Sequence, residues 1–352
     1  MGSETVRAEA EKARRTKLVT VAIPVFKRFD FLSKAIQSVA SQDYPNIELM
    51  VSDNGMNGSR VPELVRQSYA RPFRFRQNPV SVPIVTHFNQ LVREASGEYY
   101  LVLCDDDVIS ANYVSELVGI LESNPRVTVA IAKQEVIEPG GHIIRTSSDQ
   151  LPEQLTGEEF VQLWCTREHG FKTWVTFLGR TSEIRDCGGM LETPHGTHAD
   201  DALILKLCLG SRVAFNPRCA FRNRSYDESS GYACGWRELA EDTDLFLRFL
   251  DSDPTICRFA GAQADQWAKV KKQLVKMTWE TYHGRWAGVY RKRLSRPSWL
   301  RAAFAMPFMP DYYCAVLRTL ISVPKAAVAA QIKKLFPWGH KMYRALRYTG
   351  GI

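Results

Sequence analysis

The sequence predicts an α/β protein, an open and largely parallel sheet followed by a helical, basic C-terminal extension. Three observations carry that expectation. Leu18–Phe26 (LVTVAIPVF) is a nearly all-apolar, β-branched run, as expected of a strand buried on both faces of a parallel sheet. Helical stripes then alternate with further short apolar runs. One of these, Tyr99–Leu103 (YYLVL), runs directly into Cys104-Asp105-Asp106-Asp107. Open α/β sheets bind ligands at the carboxyl ends of their strands, so these acids stand where a ligand is expected.

The elements follow in order. After the first strand, Phe31, Leu32, Ala35 and Val39 form a helical stripe that ends before Pro45, and Ile47–Val51 is a second buried strand stopped by Ser52-Asp53-Asn54-Gly55. Strand, helix, strand is the βαβ unit of a Rossmann-like sheet. A helix around Pro62–Tyr69, a strand near Phe73–Arg76 and a helix around Ile84–Ala95 continue the alternation. Beyond the acids, Asn112–Leu121 reads as a helix, Val127–Lys133 as a strand and Pro139–His142 as a hairpin turn. The pattern is then mixed: a helix near Glu158–Cys165, a strand near Thr173–Gly179, a Gly188-Gly189 loop, a helix at Ala199–Leu209 and a strand at Val213–Phe215. Helices are expected over Trp236–Leu250 and roughly Ala262–Gly284, with prolines cutting the remainder into short helices. The expected division is a polar leader over 1–16, a sheet domain over 17–235 and a helical region over 236–352.

Charge sharpens this division. The 352 residues carry 46 Lys+Arg and 38 Asp+Glu, a formal charge of +8, which at first suggests a nucleic-acid binder. From Gly284 to Ile352, however, there are 13 bases and one acid, Asp311, so the rest of the chain is mildly acidic. A basic, acid-poor tail does not make the sheet domain a nucleic-acid binder. The eight cysteines include no C-x-x-C pair, which fits a reducing compartment better than a zinc or disulfide framework. The leader lacks the apolar core of a secretory signal, and no charge-free apolar run approaches the ~20 residues that span a bilayer.

Two clusters can carry chemistry. Three adjacent carboxylates repel one another unless a cation or a helix N-terminus answers them. A hard divalent ion does so when one or two carboxylates share it with phosphate oxygens and water, whereas the bland alternative is a solvated acidic turn. Asp53, at the end of the second strand, can hydrogen-bond a base or ribose, or merely close an Asx turn, and Phe26 at the end of the first can stack on a nucleobase.

Together the blocks VTVAIPVFKR, SQDYPNIELMVSDNG and GEYYLVLCDDD resemble the family 2 glycosyltransferases of GT-A fold, in order and spacing, over about the first 110 residues. The resemblance implies an inverting, metal-dependent transferase that uses Mn2+ or Mg2+ and a nucleotide-sugar donor, foremost a UDP-sugar. Implied donor-binding residues are Pro24, Phe26, Asp53, Asn54, Asn78 and Asp105, and implied metal ligands are Asp105, Asp106 and Asp107, with Cys104 in place of a common first Asp. Downstream, Cys187-Gly188-Gly189-Met190 and then His198-Ala199-Asp200-Asp201 match the family's Gly-rich loop and acid pair. That match makes Asp201 the expected general base and Asp200 its neighbour; both acids also suit a helix N-terminus for purely electrostatic reasons. His195 and His198 are close enough in sequence to touch substrate.

The chain also departs from the family pattern. Thr86-His87-Phe88-Asn89 lacks the Arg that often precedes the Asn, and Phe221–Tyr226 offers Arg and Tyr where many members have a metal-binding His. Arg222 or Arg224 is therefore expected to hold the diphosphate. The basic tail interleaves bases with Trp286, Trp299, Phe304, Phe308, Tyr312 and Trp338, a composition suited to an anionic membrane interface, to an intramolecular cap or to a homo-oligomer contact. The combined expectation is a cytoplasmic enzyme, peripheral on the inner face of the membrane, that builds cell-surface glycan on a glycan or lipid-linked acceptor. A nucleotidyltransferase is the alternative enzyme class, disfavoured because Lys27-Arg28-Phe29-Asp30 contains no Gly, and a non-catalytic nucleotide-sugar-binding scaffold is the other.

Overall fold

The computed structural model describes residues 16–147, 151–166, 177–226 and 236–278. The leader over 1–15 and the aromatic, basic tail lie outside the described residues, as do the expectations placed on them.

Residues 16–147 follow the expected alternation: β1 (Val19–Val25), α1 (Leu32–Ala40), β2 (Ile47–Asp53), α2 (Arg60–Ser68), β3 (Phe73–Gln77), α3 (Ile84–Glu94), β4 (Tyr99–Val102), β5 (Val108–Ile109), α4 (Tyr113–Ser123), β6 (Val127–Ile137) and β7 (Ile143–Thr146). All seven residues of β1 are buried, as a strand covered on both faces requires. Helix α1 buries Leu32, Ala35, Ile36 and Val39, the stripe visible in the sequence. The 139–142 turn is a hairpin, closed by Glu138 N donating to His142 O at 3.0 Å.

After β7 come β8 (Gln154–Thr156), α5 (Gly157–Thr166), β9 (Phe177–Arg180), α6 (Thr181–Asp186), α7 (Ala199–Cys208), β10 (Arg212–Arg224), α8 (Trp236–Ser252), α9 (Pro254–Ala262) and α10 (Ala264–Met277). Among the described residues, ten strands form one sheet in the order β3-β2-β1-β4-β9-β6-β10-β5, with β7 added on β6 and β8 on β10. Strands β3, β2, β1 and β4 run parallel, β9 is antiparallel to both β4 and β6, and β10 is parallel to β6.

Two elements differ from expectation. The strand predicted at 213–215 extends to Arg224, because an irregularity between Asn216 and Ala220 absorbs Pro217 and lets pairing with β6 resume. A helix the sequence reading did not expect, α9, precedes the one expected over 262–284: Asp253 caps α9 by accepting from Thr255 N and Ile256 N, with Pro254 at its first position, and the chain breaks at Gln263 before α10. The chain separates into two compact units, 1–274 and 275–352. Helices α8 and α9 pack on α7 and so belong with the sheet. No helix among the described residues is long and apolar enough to cross a membrane.

Candidate active site

The site is created where β1 and β4 part. Their register runs from Val19 opposite Tyr99 to Ala22 opposite Val102, and Leu103 N donates to Ala22 O at 2.9 Å. Two residues on, buried Pro24 has no N–H with which to extend the ladder, while β1 stays paired to β2 as far as Val25 opposite Asp53. The strand order reverses direction here, since β2 and β3 lie on one side of β1 and β4 on the other. Such a switch point opens a crevice at the strands' carboxyl ends, and Cys104–Asp107 enters it.

The acids are held in place from both sides. Gln42, just beyond the end of α1, donates to Ser110 O at 2.8 Å and accepts from Val114 N at 3.0 Å. On the other side, β5 pairs with β10, placing Arg222 opposite Val108. Asp107 then accepts from Arg224 N at 2.9 Å and from Asn223 Nδ2 at 3.2 Å. Asp105, Asp106 and Asp107 are consequently all buried, at 5%, 8% and 4% exposure, so the solvated acidic turn does not describe them.

Among the described residues, the side chain that forms ion pairs with Asp105 and Asp106 is Arg28, a residue the sequence argument passed over. Its Nη2 donates to Asp105 Oδ1 and its Nη1 to Asp106 Oδ2, each at 3.1 Å, and it also donates to the Tyr226 hydroxyl, which donates to Asp106 Oδ2 at 2.6 Å. Burial pushes the Asp105 carboxyl up to about 7, against the pull of Arg28 and with the help of Asp106. Burial lowers the Arg28 guanidinium, but the Asp105 and Asp106 charges outweigh it and leave Arg28 above its ordinary value. The available sequence signal was position: Arg28 lies just beyond the carboxyl end of β1, on the same edge as the acids.

Arg222 and Arg224 are otherwise engaged. Arg224 is buried, donates to the Asp106, Glu138 and Pro139 carbonyls at 2.9, 3.0 and 2.8 Å, and lies over the Phe31 ring at 4.4 Å. Arg222 donates to Glu135 Oε2 at 2.8 Å. As folded, Arg224 is a clamp for the acid loop, and a diphosphate at Arg222 must compete with Glu135.

The second sheet edge is just as closely bonded. Asp53 is fully buried and its carboxylate accepts from Gly55 N, Asn57 N and Asn57 Nδ2, each at 2.7 Å. A Cβ at Gly55 would fall 1.8 Å from Phe26 O, so the turn that brings the β1 and β2 ends together requires glycine. Asn54 ties this turn to the next loop: its Oδ1 accepts from Asn78 Nδ2 at 2.8 Å and Val82 N at 3.0 Å, and its Nδ2 donates to Val82 O at 2.9 Å. Beneath it the Ser52 hydroxyl and His87 Nε2 are 2.7 Å apart, and burial together with nearby Arg76 lowers His87 to about 4, with Asp53 opposing. Phe26 is 48% exposed, with Lys27 Nζ over its ring at 5.3 Å.

The two acids at the start of α7 differ in burial. Asp201 is wholly buried, with Oδ2 3.0 Å from His198 Nδ1, while His198 Nε2 lies 3.1 Å from Thr243 Oγ1 and its ring stacks on Phe246 at 4.7 Å. As folded, the Asp201 carboxylate has no exposed surface. Asp200, the partly exposed acid of the pair, does have surface. Asp242 of α8, a residue the sequence argument did not single out, fixes the preceding loop by accepting from Thr197 N at 2.8 Å and His195 N at 3.3 Å.

Residues 20–185 match the family described as Glycosyl transferase family 2. This part of the chain belongs to glycosyltransferase family 2. A Campylobacter jejuni GalNAc(5)-diNAcBac-PP-undecaprenol beta-1,3-glucosyltransferase is 32% identical over 102 residues, 28% of this chain and 33% of that one. The chain spans less than half the length of the curated relatives it matches, 21% in a Rickettsia conorii glycosyltransferase and 43% in a Salmonella typhimurium abequosyltransferase. The glycosyltransferase domain shares the GT-A fold of S. aureus TarS 1-349 in complex with UDP-GlcNAc, at a TM-score of 0.57, 14% identity and coverage of 88% and 92% of the two chains. It shares that fold equally with the Pyrobaculum calidifontis mannosyltransferase PcManGT in complex with GDP-Man and Mn2+, at a TM-score of 0.53, 14% identity and coverage of 95% and 94%.

In this glycosyltransferase domain the acid cluster suits a hard cation. Ligand atoms of Cys104, Asp106 and Asp107 lie within 4.8 Å of one another. Carboxylate oxygens such as those of Asp106 and Asp107 are the ligand type that Mg2+ or Mn2+ takes. The Cys104 sulfur is the soft member and a poor partner for Mg2+ or Mn2+.

Proposed function

We propose that the protein is a metal-dependent, inverting glycosyltransferase that moves a sugar from a nucleotide-diphospho-sugar to an acceptor hydroxyl. The observation that carries this reading is the buried Asp105-Asp106-Asp107 cluster in the crevice where β1 and β4 part. Support comes from the family match, and from fold relatives whose structures contain UDP-GlcNAc or GDP-Man with Mn2+.

In this reading Asp106 and Asp107 hold Mn2+ or Mg2+, which when bound supplies positive charge at the departing diphosphate. Phe26 stacks on the nucleobase, the turn fixed by Asp53, Asn54 and Asn78 shapes the base and ribose pocket, and Asp105 borders the ribose. Arg28 is better placed than Arg222 or Arg224 to meet the diphosphate, because its partners are the acids themselves and its side chain is 38% exposed. Asp200 takes the acceptor proton, and Asp201, locked to His198, anchors the helix turn that presents it. One base opposite one leaving group gives a single in-line displacement with inversion.

The donor is a UDP-sugar and the acceptor a bacterial surface glycan or its lipid-linked precursor, the class of substrate named for the Campylobacter relative. The basic tail over 284–352 places the protein on the anionic inner face of the membrane. A thermal-shift screen of UDP- and GDP-sugars with and without Mn2+ tests the central reading: metal-dependent stabilisation is expected with UDP-sugars, and its absence with every nucleotide overturns the proposal. Flotation with phosphatidylglycerol vesicles tests the tail, and the Lys333→Glu/Lys334→Glu full-length variant should float less than wild type.

A further inference from the structure

We propose that Arg28 is an internal counter-ion of the acid cluster, displaced when a divalent cation and a diphosphate arrive together, so that the protein takes up its metal with the nucleotide and only weakly alone. The inference rests on the metal site proposed above, and its test separates the two.

Arg28 contacts the acids where a cation is expected. Its guanidinium bridges Asp105 Oδ1 and Asp106 Oδ2, both at 3.1 Å, and Asp106 Oδ2 also accepts from Tyr226 at 2.6 Å. A guanidinium in that position repels a divalent ion on the neighbouring carboxylates. A metal alone must therefore either tolerate the repulsion or drive Arg28 off its partners with nothing to replace them. A diphosphate removes the conflict, because it offers Arg28 a new bidentate anionic partner while completing the metal's oxygen shell.

Arg28 is also free to move in a way its neighbour is not. Its side chain is 38% exposed and its described polar contacts are all within this cluster. Arg224 is buried and held by three carbonyls and the Phe31 ring. Tyr226, whose ring lies 5.7 Å from the Arg28 guanidinium, bridges Arg28 and Asp106 through its hydroxyl and is released with them. Thermodynamic reciprocity follows: the factor by which UDP tightens Mn2+ binding equals the factor by which Mn2+ tightens UDP binding, and Arg28 supplies part of it.

The test is a titration of the full-length protein with Mn2+, read from the electron paramagnetic resonance signal of the free ion, with and without UDP. Wild type, Arg28→Gln, Arg28→Lys and Asp106→Asn are compared. Removing a cation a few ångströms from the metal should tighten Mn2+ binding in the absence of UDP by about tenfold or more in Arg28→Gln, and should shrink the tightening that UDP adds. Arg28→Lys, which keeps the charge without the fork, should fall between the two and carries the test if far-UV circular dichroism shows that Arg28→Gln is unfolded. If Arg28→Gln binds Mn2+ alone no more tightly than wild type while Asp106→Asn abolishes binding, the metal site stands and the counter-ion role is overturned. If wild type and Arg28→Gln both fail to bind Mn2+ even with UDP, the metal site itself is refuted, and the inference with it.

Discussion

His198 and Asp201 face each other inside the protein, Nδ1 to Oδ2 at 3.0 Å, with neither side chain open to solvent. His198 achieves this in a left-handed backbone conformation, φ 64°, immediately before α7, so the chain turns sharply and drops its ring between Asp201, Thr243 and Phe246. The pair joins α7 to α8 and fixes the start of the helix that carries Asp200.

This geometry predicts a clean division between two neighbouring acids. Asp200→Asn should abolish sugar transfer while leaving the unfolding midpoint and UDP binding unchanged. Asp201→Asn should cost about 1–3 kcal/mol of stability, the usual consequence of disturbing a buried hydrogen-bonded carboxylate, and should lower activity only through that loss. Urea unfolding alongside a transfer assay separates the two, and the reverse pattern would restore Asp201 as the base.

His198→Ala should destabilise by about 2–3 kcal/mol, since it deletes two buried hydrogen bonds and an aromatic stack. His198→Asn should be milder, because Asn tolerates the left-handed conformation better than other residues with a side chain. Equal destabilisation by the two variants would show that the backbone conformation matters little here.

A pH-dependent stability is expected from His87. Burial lowers it to about 4, so between about 6.5 and 4 the unfolded chain takes up a proton that the folded chain refuses. The contribution is whole above about pH 6.5 and is lost as pH falls through 4, which amounts to about 2 kcal/mol between pH 7 and pH 5. Urea midpoints measured across that range should decline less steeply in His87→Gln, and an unchanged slope would mean that His87 titrates normally in the fold.

At the Gly55 turn, Gly55→Ala should prevent the β1 and β2 ends from closing, because the added carbon meets the Phe26 carbonyl. Asp53→Ala should cost about 2–3 kcal/mol by stranding the donors of Gly55 and Asn57. Both changes should weaken UDP binding measured calorimetrically. Asp53→Ala with wild-type stability would contradict the role of its carboxylate in holding the turn.

The N-terminal half was legible in the sequence because its signals are local. Apolar β-branched runs, helical stripes and the Asp-Asn-Gly and Pro-Gly-Gly turns each declare an element within a few residues, and the order of the blocks carried the family resemblance. The acid triplet was legible for the same reason, since it directly follows a buried strand.

What the sequence could not decide were pairings between residues far apart in the chain. Arg28 meets Asp105 and Asp106 across 77 and 78 positions, Asp107 meets Arg224 across 117, and His198 meets Thr243 across 45. None of these leaves a periodic or local trace, because each depends on how the sheet brings distant strand ends together. The sequence by itself determined the class of fold, the edge of the sheet where the acids gather and the residue types found there. Only the tertiary structure decided which arginine answers the acids, which one clamps their loop, and which carboxylate of the Asp200-Asp201 pair keeps a surface, because burial and partner are properties of three-dimensional packing.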